Sequence, residues 1–313
     1  MRAFEFLVED EQQKSVVMRQ LSKMDAEAPL FGEIYKELIN KPLGGRIENF
    51  INARGDQDAI DAIKYLLKTI PTLGSAAEVK EFMQRFQDPN YDPINVKSLT
   101  NTMSSPAPLS EIVTDKFVKK LFDQLHLDFK GKGDAGPGEA ALAVLSPNIT
   151  YASPGDIQIG GMKVEVKAST NKGGAAGRTW DHPVHQAPML EVLEPIGIQS
   201  FSVMMGNEAF PGDDEQKDAF IKAACNAWFG EERKDIISAF GTPSFKNLWQ
   251  AAVFDKYKEL SGWSGLLAIG LSQYQYVETG AEFAANMKKK SQGNLCRATE
   301  KQSRALAPQI HIG

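Results

Sequence analysis

Seventeen residues, Pro154 to Thr170, constrain this chain more than any other stretch: Pro-Gly-Asp-Ile-Gln-Ile-Gly-Gly-Met-Lys-Val-Glu-Val-Lys-Ala-Ser-Thr. Ile157 and Ile159 alternate with Asp156 and Gln158, and Met162, Val164 and Val166 alternate with Lys163, Glu165 and Lys167. Period-two alternation marks half-buried strands, and Gly160-Gly161 between the two runs is a two-residue hairpin signal. With those glycines as the loop, Ile159 faces Met162, Gln158 faces Lys163, Ile157 faces Val164, and Asp156 faces Glu165. One face of the ribbon is then aliphatic and buries. The other carries Asp156, Glu165 and Lys167.

Two carboxylates across a strand pair stand on backbones only about 4.5–5.5 Å apart and repel. A divalent cation between them turns that repulsion into binding, and hard oxygen ligands suit Mg²⁺ or Mn²⁺. Lys167, two residues beyond Glu165, then has its ammonium where it can orient a water or stabilise negative charge on a phosphate.

Asp156, a short spacer and Glu165-Val166-Lys167 resemble the PD-(D/E)XK nuclease superfamily, which includes restriction endonucleases, Holliday-junction resolvases and phage exonucleases. The pattern Asp-x₈-Glu-x-Lys gains specificity from the hairpin register and from the helix-like Gly138–Leu145 stretch, which carries Glu139 near its start. Pro154-Gly155-Asp156 departs from a literal Pro-Asp by one inserted glycine. The likeness covers residues 110–205 well and the remainder loosely. It implies a mixed α/β fold: a restriction-endonuclease-like αβββαβ core over 96–313, preceded by a mainly helical region over 1–95. It further implies a metal held by Asp156, Glu165, the Val166 carbonyl and Glu139, and Lys167 beside the attacking water. The expected cofactor is Mg²⁺, with Mn²⁺ substituting. The expected activity is endonucleolytic hydrolysis of DNA to 5′-phosphate and 3′-hydroxyl ends. A vestigial core in a non-catalytic nucleic-acid-binding or scaffold protein, and an exonuclease or RNase using the same site, are the alternatives. Dimerisation is an expectation from the resemblance alone. The opening Phe4-Glu5-Phe6-Leu7 resembles the starts of some tailed-phage proteins.

Composition bounds the rest. The chain has 313 residues, 42% hydrophobic and 24% charged, with a formal net charge of −5. That length holds one large domain or two smaller ones, and that charge argues against a general polyanion-binding surface and for a local basic channel. Cys225 and Cys296 are far apart, so there is neither a disulfide framework nor a Cys-x-x-Cys zinc site. No apolar run approaches the ~18 residues of a membrane span, and the first residues lack the apolar core of a signal peptide, which makes a cytosolic location the expectation.

Residues 1–95 read as successive helices. Val17, Leu21 and Met24 share one face, and Phe31, Ile34 and Leu38 another. A third helix through Ile60, Ile63, Leu67 and Ile70 stops at Pro71, and Ser75-Ala76-Ala77-Glu78 is a capping box. Residues 88–108, rich in Pro, Asn and Ser, form a linker candidate. Val113 to Leu125 make an amphipathic helix. Gly131-Lys132-Gly133-Asp134-Ala135-Gly136 matches a dinucleotide fingerprint literally but follows a helix rather than a strand, which excludes that reading. Lys132 there remains a candidate phosphate contact. Lys172 and Arg178 lie on a Gly-rich stretch that is either a solvated loop or one that closes over DNA. Lys288, Lys289 and Lys290 begin the densest basic run, either a solvated face or a backbone-binding one. His182 and His185 are three apart, but Pro183 between them disfavours a helical zinc pair. Phe201–Met205 reads as a strand, Thr242-Pro243 as a helix start with Thr242 as cap, Leu266–Leu271 as a buried strand, and Pro308–Ile312 as a terminal edge strand.

Overall fold

The computed structural model describes residues 65–66, 68–86, 88, 90–101, 104–128, 136–152, 155–169, 175–177, 201–287 and 309–312. Within them the chain is mixed α/β. In order, a 3₁₀ turn (Ile70–Thr72) precedes α1 (Ala76–Phe86), α2 (Val96–Leu99), β1 (Ala107–Pro108), α3 (Lys116–Asp128), α4 (Pro137–Leu145), β2 (Ile149–Tyr151), β3 (Ile157–Ile159) and β4 (Met162–Ala168). Then come β5 (Ala175–Gly177), α5 (Phe201–Met204), α6 (Asp214–Phe229), α7 (Lys234–Ala239) and α8 (Phe245–Ser261). The last are β6 (Gly265–Ile269), β7 (Gln273–Val277), α9 (Gly280–Ala285) and β8 (Gln309–His311). Six strands form one mixed sheet in the order β1-β7-β6-β4-β3-β2, and β5 pairs with β8 in a second, two-stranded sheet.

By contacts the chain divides into two compact units. One holds residues 1–96, 110–151 and 157–160, the other residues 97–109, 152–156 and 161–313. In the first unit the capping box forms as expected. The Ser75 N–H donates to Glu78 Oε2 at 2.7 Å, and the Glu78 N–H donates to Ser75 Oγ at 3.3 Å. Val79, Phe82, Met83 and Phe86 bury the inner face of α1, with Phe82 stacked on Phe86 at 5.0 Å and on Phe117 of α3 at 4.7 Å. Asp115 caps α3: its Oδ1 accepts the N–H groups of Phe117 at 2.8 Å and Val118 at 3.1 Å. Its Oδ2 accepts from Arg85 at 2.5 Å, which ties the end of α1 to the start of α3. Helix α4 is apolar all round, and every residue from Ala140 to Leu145 is buried. Such a helix is stable only when covered on all sides. At its end Ser146 Oγ and Asn148 Nδ2 donate to Asp92 Oδ2 at 2.7 and 2.8 Å. β2 and β3 then pair antiparallel, with Ile149 opposite Ile159.

In the second unit β4 runs parallel to β6, with Glu165 opposite Leu266 and Lys167 opposite Ala268. A parallel pair requires a long crossover, and α5 to α8 lie within it. Helix α8 ends at Gly262 in the left-handed region (φ 70), and the chain enters β6 with the Ser264 N–H donating to the Lys163 carbonyl at 2.6 Å. β6 pairs antiparallel with β7, placing Gln275 opposite Ala268, and β1 extends β7. Leu266, Ala268 and Val277 join Trp249, Val253, Phe254 and Phe283 from α8 and α9 in one apolar cluster, and Ile310 and Ile312 at the chain's end belong to it.

Three expectations need correction. Phe201–Met204 is a helical turn, not a strand. A five-residue run with four apolar residues fits either period, and Gly206 at φ 75 ends this one where its Cα meets the Gly241 carbonyl too closely for any side chain. Thr242 does not cap α8: its hydroxyl turns back to the Ala239 carbonyl at 2.6 Å, and the cap position falls on Ser244. Val113 is not part of α3: it precedes the helix and stands in an isolated antiparallel bridge with Ile94. Glu165 is buried, because β4 is an interior strand and the Leu266–Ala268 cluster covers its charged face. The helices proposed before residue 65, Lys132, Lys172, Arg178, His182, His185 and Lys288 to Lys290 lie outside the described residues.

Candidate active site

Gly160 (φ 55) and Gly161 (φ 90) both take the left-handed conformation that a two-residue hairpin turn of the tight, strand-matching kind requires. At the other end Gly155 (φ 84) passes over the backbone of Val164, where an added Cβ would lie 3.3 Å from the Val164 carbonyl oxygen. The glycine inserted between Pro154 and Asp156 is therefore what lets the chain turn into register. The Asp156 N–H then donates to the Val164 carbonyl at 3.0 Å.

From that anchor the Asp156 side chain continues the ladder itself. Its Oδ2 accepts the Val166 N–H at 2.7 Å. Lys167 completes the group. Its ammonium lies 2.6 Å from Glu165 Oε1, 2.9 Å from the Val166 carbonyl oxygen and 3.5 Å from Asp156 Oδ2. Asp156, Glu165, Val166 and Lys167 are thus brought together, on side chains only 22%, 8% and 19% exposed for Asp156, Glu165 and Lys167. Two carboxylates face one ammonium, which leaves the cluster formally negative in a setting where water screens poorly.

Three oxygens, from two carboxylates and one backbone carbonyl, surround the Lys167 ammonium. This is a donor set that hard divalent ions use. The Lys167 ammonium occupies the place among these oxygens. Among the described residues no group of three or more His, Cys, Asp or Glu side chains gathers as a metal site. Glu139 lies in the first turn of α4, buried, in the other unit. Its Oε1 would be 2.7 Å from a Cβ added at Gly136, so the carboxylate folds back over the positive end of its own helix.

The tertiary structure adds two neighbours that sequence reading did not single out. Ala268 is the lateral neighbour of Lys167, and Gln275, fully buried, is the next residue in the same row. The only sequence signal for Gln275 is an amide between Tyr274 and Tyr276 on an otherwise buried strand. Comparisons with family models, with curated proteins and with solved structures gave no match.

Proposed function

We propose that this chain is a Mg²⁺-dependent endonuclease of the PD-(D/E)XK type that hydrolyses DNA phosphodiester bonds. The single observation that carries the reading is the convergence of Asp156, Glu165, the Val166 carbonyl and Lys167 at 2.6–3.5 Å about one point. The element order supports it: α4, β2, β3 and β4 are followed, after the α5–α7 segment, by α8 and β6, with β4 parallel to β6. With β5 and the α5–α7 segment set aside as insertions, this sequence of elements is compatible with an αβββαβ core.

Asp156 and Glu165 would hold the metal with the Val166 carbonyl, and Glu139 is the fourth candidate from the sequence. A bound Mg²⁺ would supply charge stabilisation at phosphorus and lower the pKa of a bound water. Lys167 keeps three N–H donors within reach of the carboxylates, and with a polynucleotide present one of them orients the attacking water. The water gives up a proton to solvent as its oxygen bonds to phosphorus, the bond from phosphorus to O3′ breaks, and O3′ takes a proton from solvent. The products are a 5′-phosphate and a 3′-hydroxyl. The low exposure of the site keeps bulk water from screening these charges. A homodimer that cuts both strands, and a cytoplasmic location, belong to the same reading; no described helix is long and apolar enough to cross a membrane.

A second reading has its own observation. Lys167 already pairs with both acids, so the triad can serve as a buried structural ion cluster in a non-catalytic nucleic-acid-binding or scaffold protein. Incubation of supercoiled plasmid with Mg²⁺, Mn²⁺ or EDTA separates the two. Nicking or linearisation that needs metal and vanishes in Lys167→Ala supports the nuclease. Uncut plasmid under every metal refutes it. Single-stranded DNA and RNA run in parallel define the substrate, and end-dependence separates exonuclease from endonuclease.

A further inference from the structure

The last residues of the chain are buried with the residues that flank the site. Ile310 and Ile312 are fully buried in the cluster that contains Leu266 and Ala268. These two are the lateral neighbours of Glu165 and Lys167. Strand β8 pairs with β5, Ile310 opposite Ala176, and β5 contacts both β4 and β6. Met287 bridges to Ile310 from the other side. At the far end of β6 the Ile312 carbonyl lies directly against Gly270, so closely that a methyl group there would overlap it. The preceding residue, Ile269, accepts the Ser169 N–H at 2.8 Å, two residues beyond Lys167.

We propose that the C-terminal strand is a positioning element of the active site: Ile310 and Ile312 clamp the end of the β4–β6 pair from which Lys167 projects. Lys167 has a long side chain with four rotatable bonds, and the direction of its ammonium depends on the backbone that carries it. Strand β8 is tied by two buried isoleucines and one backbone contact to the strand pair that holds the lysine. Ile310 and Ile312 touch no reacting atom; they act through Gly270, Ile269 and Ser169.

The inference deepens the nuclease reading, and its test has a readout that does not depend on cleavage. Full-length Gly270→Ala and Ile312→Ala proteins and their combination are compared with wild type. Hydrogen exchange is followed at the amides of Val166 to Ser169, and kcat and KM are measured on plasmid with Mg²⁺. Exchange at those amides is expected to accelerate at least tenfold in each single variant, with little further gain in the double. kcat is expected to fall at least tenfold with KM within twofold. A chain truncated after residue 308 should match the double variant where it folds, and the point variants carry the test where it does not. Unchanged exchange at Val166 to Ser169 in folded Gly270→Ala protein, or single effects that simply sum, would overturn the clamp. So would a loss of thermal stability with kcat intact. Accelerated exchange in a protein whose wild type cuts no substrate would retain the clamp and reject the nuclease.

Discussion

Lys167 Nζ stands 2.6 Å from Glu165 Oε1, and the same ammonium reaches Asp156 Oδ2 at 3.5 Å. The repulsion expected between the two acids is thus already met by a cation the chain supplies. Removing that cation exposes the repulsion. Lys167→Ala is expected to destabilise the metal-free protein by about 2 kcal/mol, less than the roughly 3–5 kcal/mol of a fully buried pair because Lys167 and Asp156 keep partial exposure. Mg²⁺ or Mn²⁺ should then raise the melting temperature of the variant more than that of wild type, since a ligand of the folded state stabilises in proportion to its occupancy. Thermal melts with and without metal measure both effects, and equal melting behaviour of the two proteins would reject the shared-cation account.

Asp156 has two tasks, and two substitutions separate them. Asn keeps an oxygen to accept the Val166 N–H, which Asp156 Oδ2 now accepts at 2.7 Å, but loses the charge. Ala loses both. Asp156→Asn should stay within about 1 kcal/mol of wild-type stability, while Asp156→Ala costs about 1–2 kcal/mol more for the unmet amide. Cleavage should fall on the order of 100-fold or more in both, as for loss of an essential charge-stabilising group. Urea denaturation and plasmid cleavage on the same preparations give the comparison; an active Asp156→Asn would remove Asp156 from the metal ligands.

Ala268 is the small residue beside Lys167 in the lateral row, buried in the core cluster. Ala268→Leu adds volume to a filled cluster, which typically costs about 1–3 kcal/mol, and presses on Lys167. Activity should drop although no charged residue has changed, and Ala268→Gly should retain it. Specific activity of the folded fraction, determined by circular dichroism and cleavage, checks this; a fully active Ala268→Leu would show that the row does not constrain the lysine.

Asp115 gives the first unit a pH signature. Burial works against its charge, but the N–H groups of Val118 and Phe117 and the Arg85 guanidinium outweigh that and hold its pKa below the usual carboxylate range. A depressed folded value means that the stabilisation is fully present above the unfolded pKa, about 3.9. It is lost as pH falls through the lower folded value. Asp115→Asn should cost about 1–2 kcal/mol at pH 7, from a weakened cap and a lost ion pair. The gap between wild-type and variant urea midpoints should be full at pH 7 and narrow steadily as pH falls below the ordinary carboxylate range, and a gap that does not narrow in acid would contradict the ionic origin.

Local features were legible in the sequence because their causes are local. The Ser75–Glu78 box, the Gly160-Gly161 turn, the helix expected from Val113 to Leu125 and found at Lys116–Asp128, and the strand expected at Leu266 to Leu271 and found at Gly265–Ile269 each depend on residues within a few positions of one another. The failures share a cause as well. At Phe201–Met204 the period was too short to decide, and the close approach of Gly206 to Gly241, thirty-five positions on, decided it. At Thr242 the Ala239 carbonyl took the hydroxyl that a cap would have used.

The sequence by itself determined that Asp156, Glu165 and Lys167 come together, though not where Glu139 goes: alternation sends Glu165 and Lys167 to one side of a strand, and a glycine-tipped turn returns Asp156 to them. Only the tertiary structure decided that this side is buried. The partner strand β6 lies about a hundred residues away, and Ala268, Gln275, Ile310 and Ile312 reach the neighbourhood of Lys167 through pairings that no local pattern encodes. The physical reason is that side-chain direction along a strand follows from backbone geometry alone, whereas what covers a strand depends on which distant segments gain most by burying their own apolar faces against it.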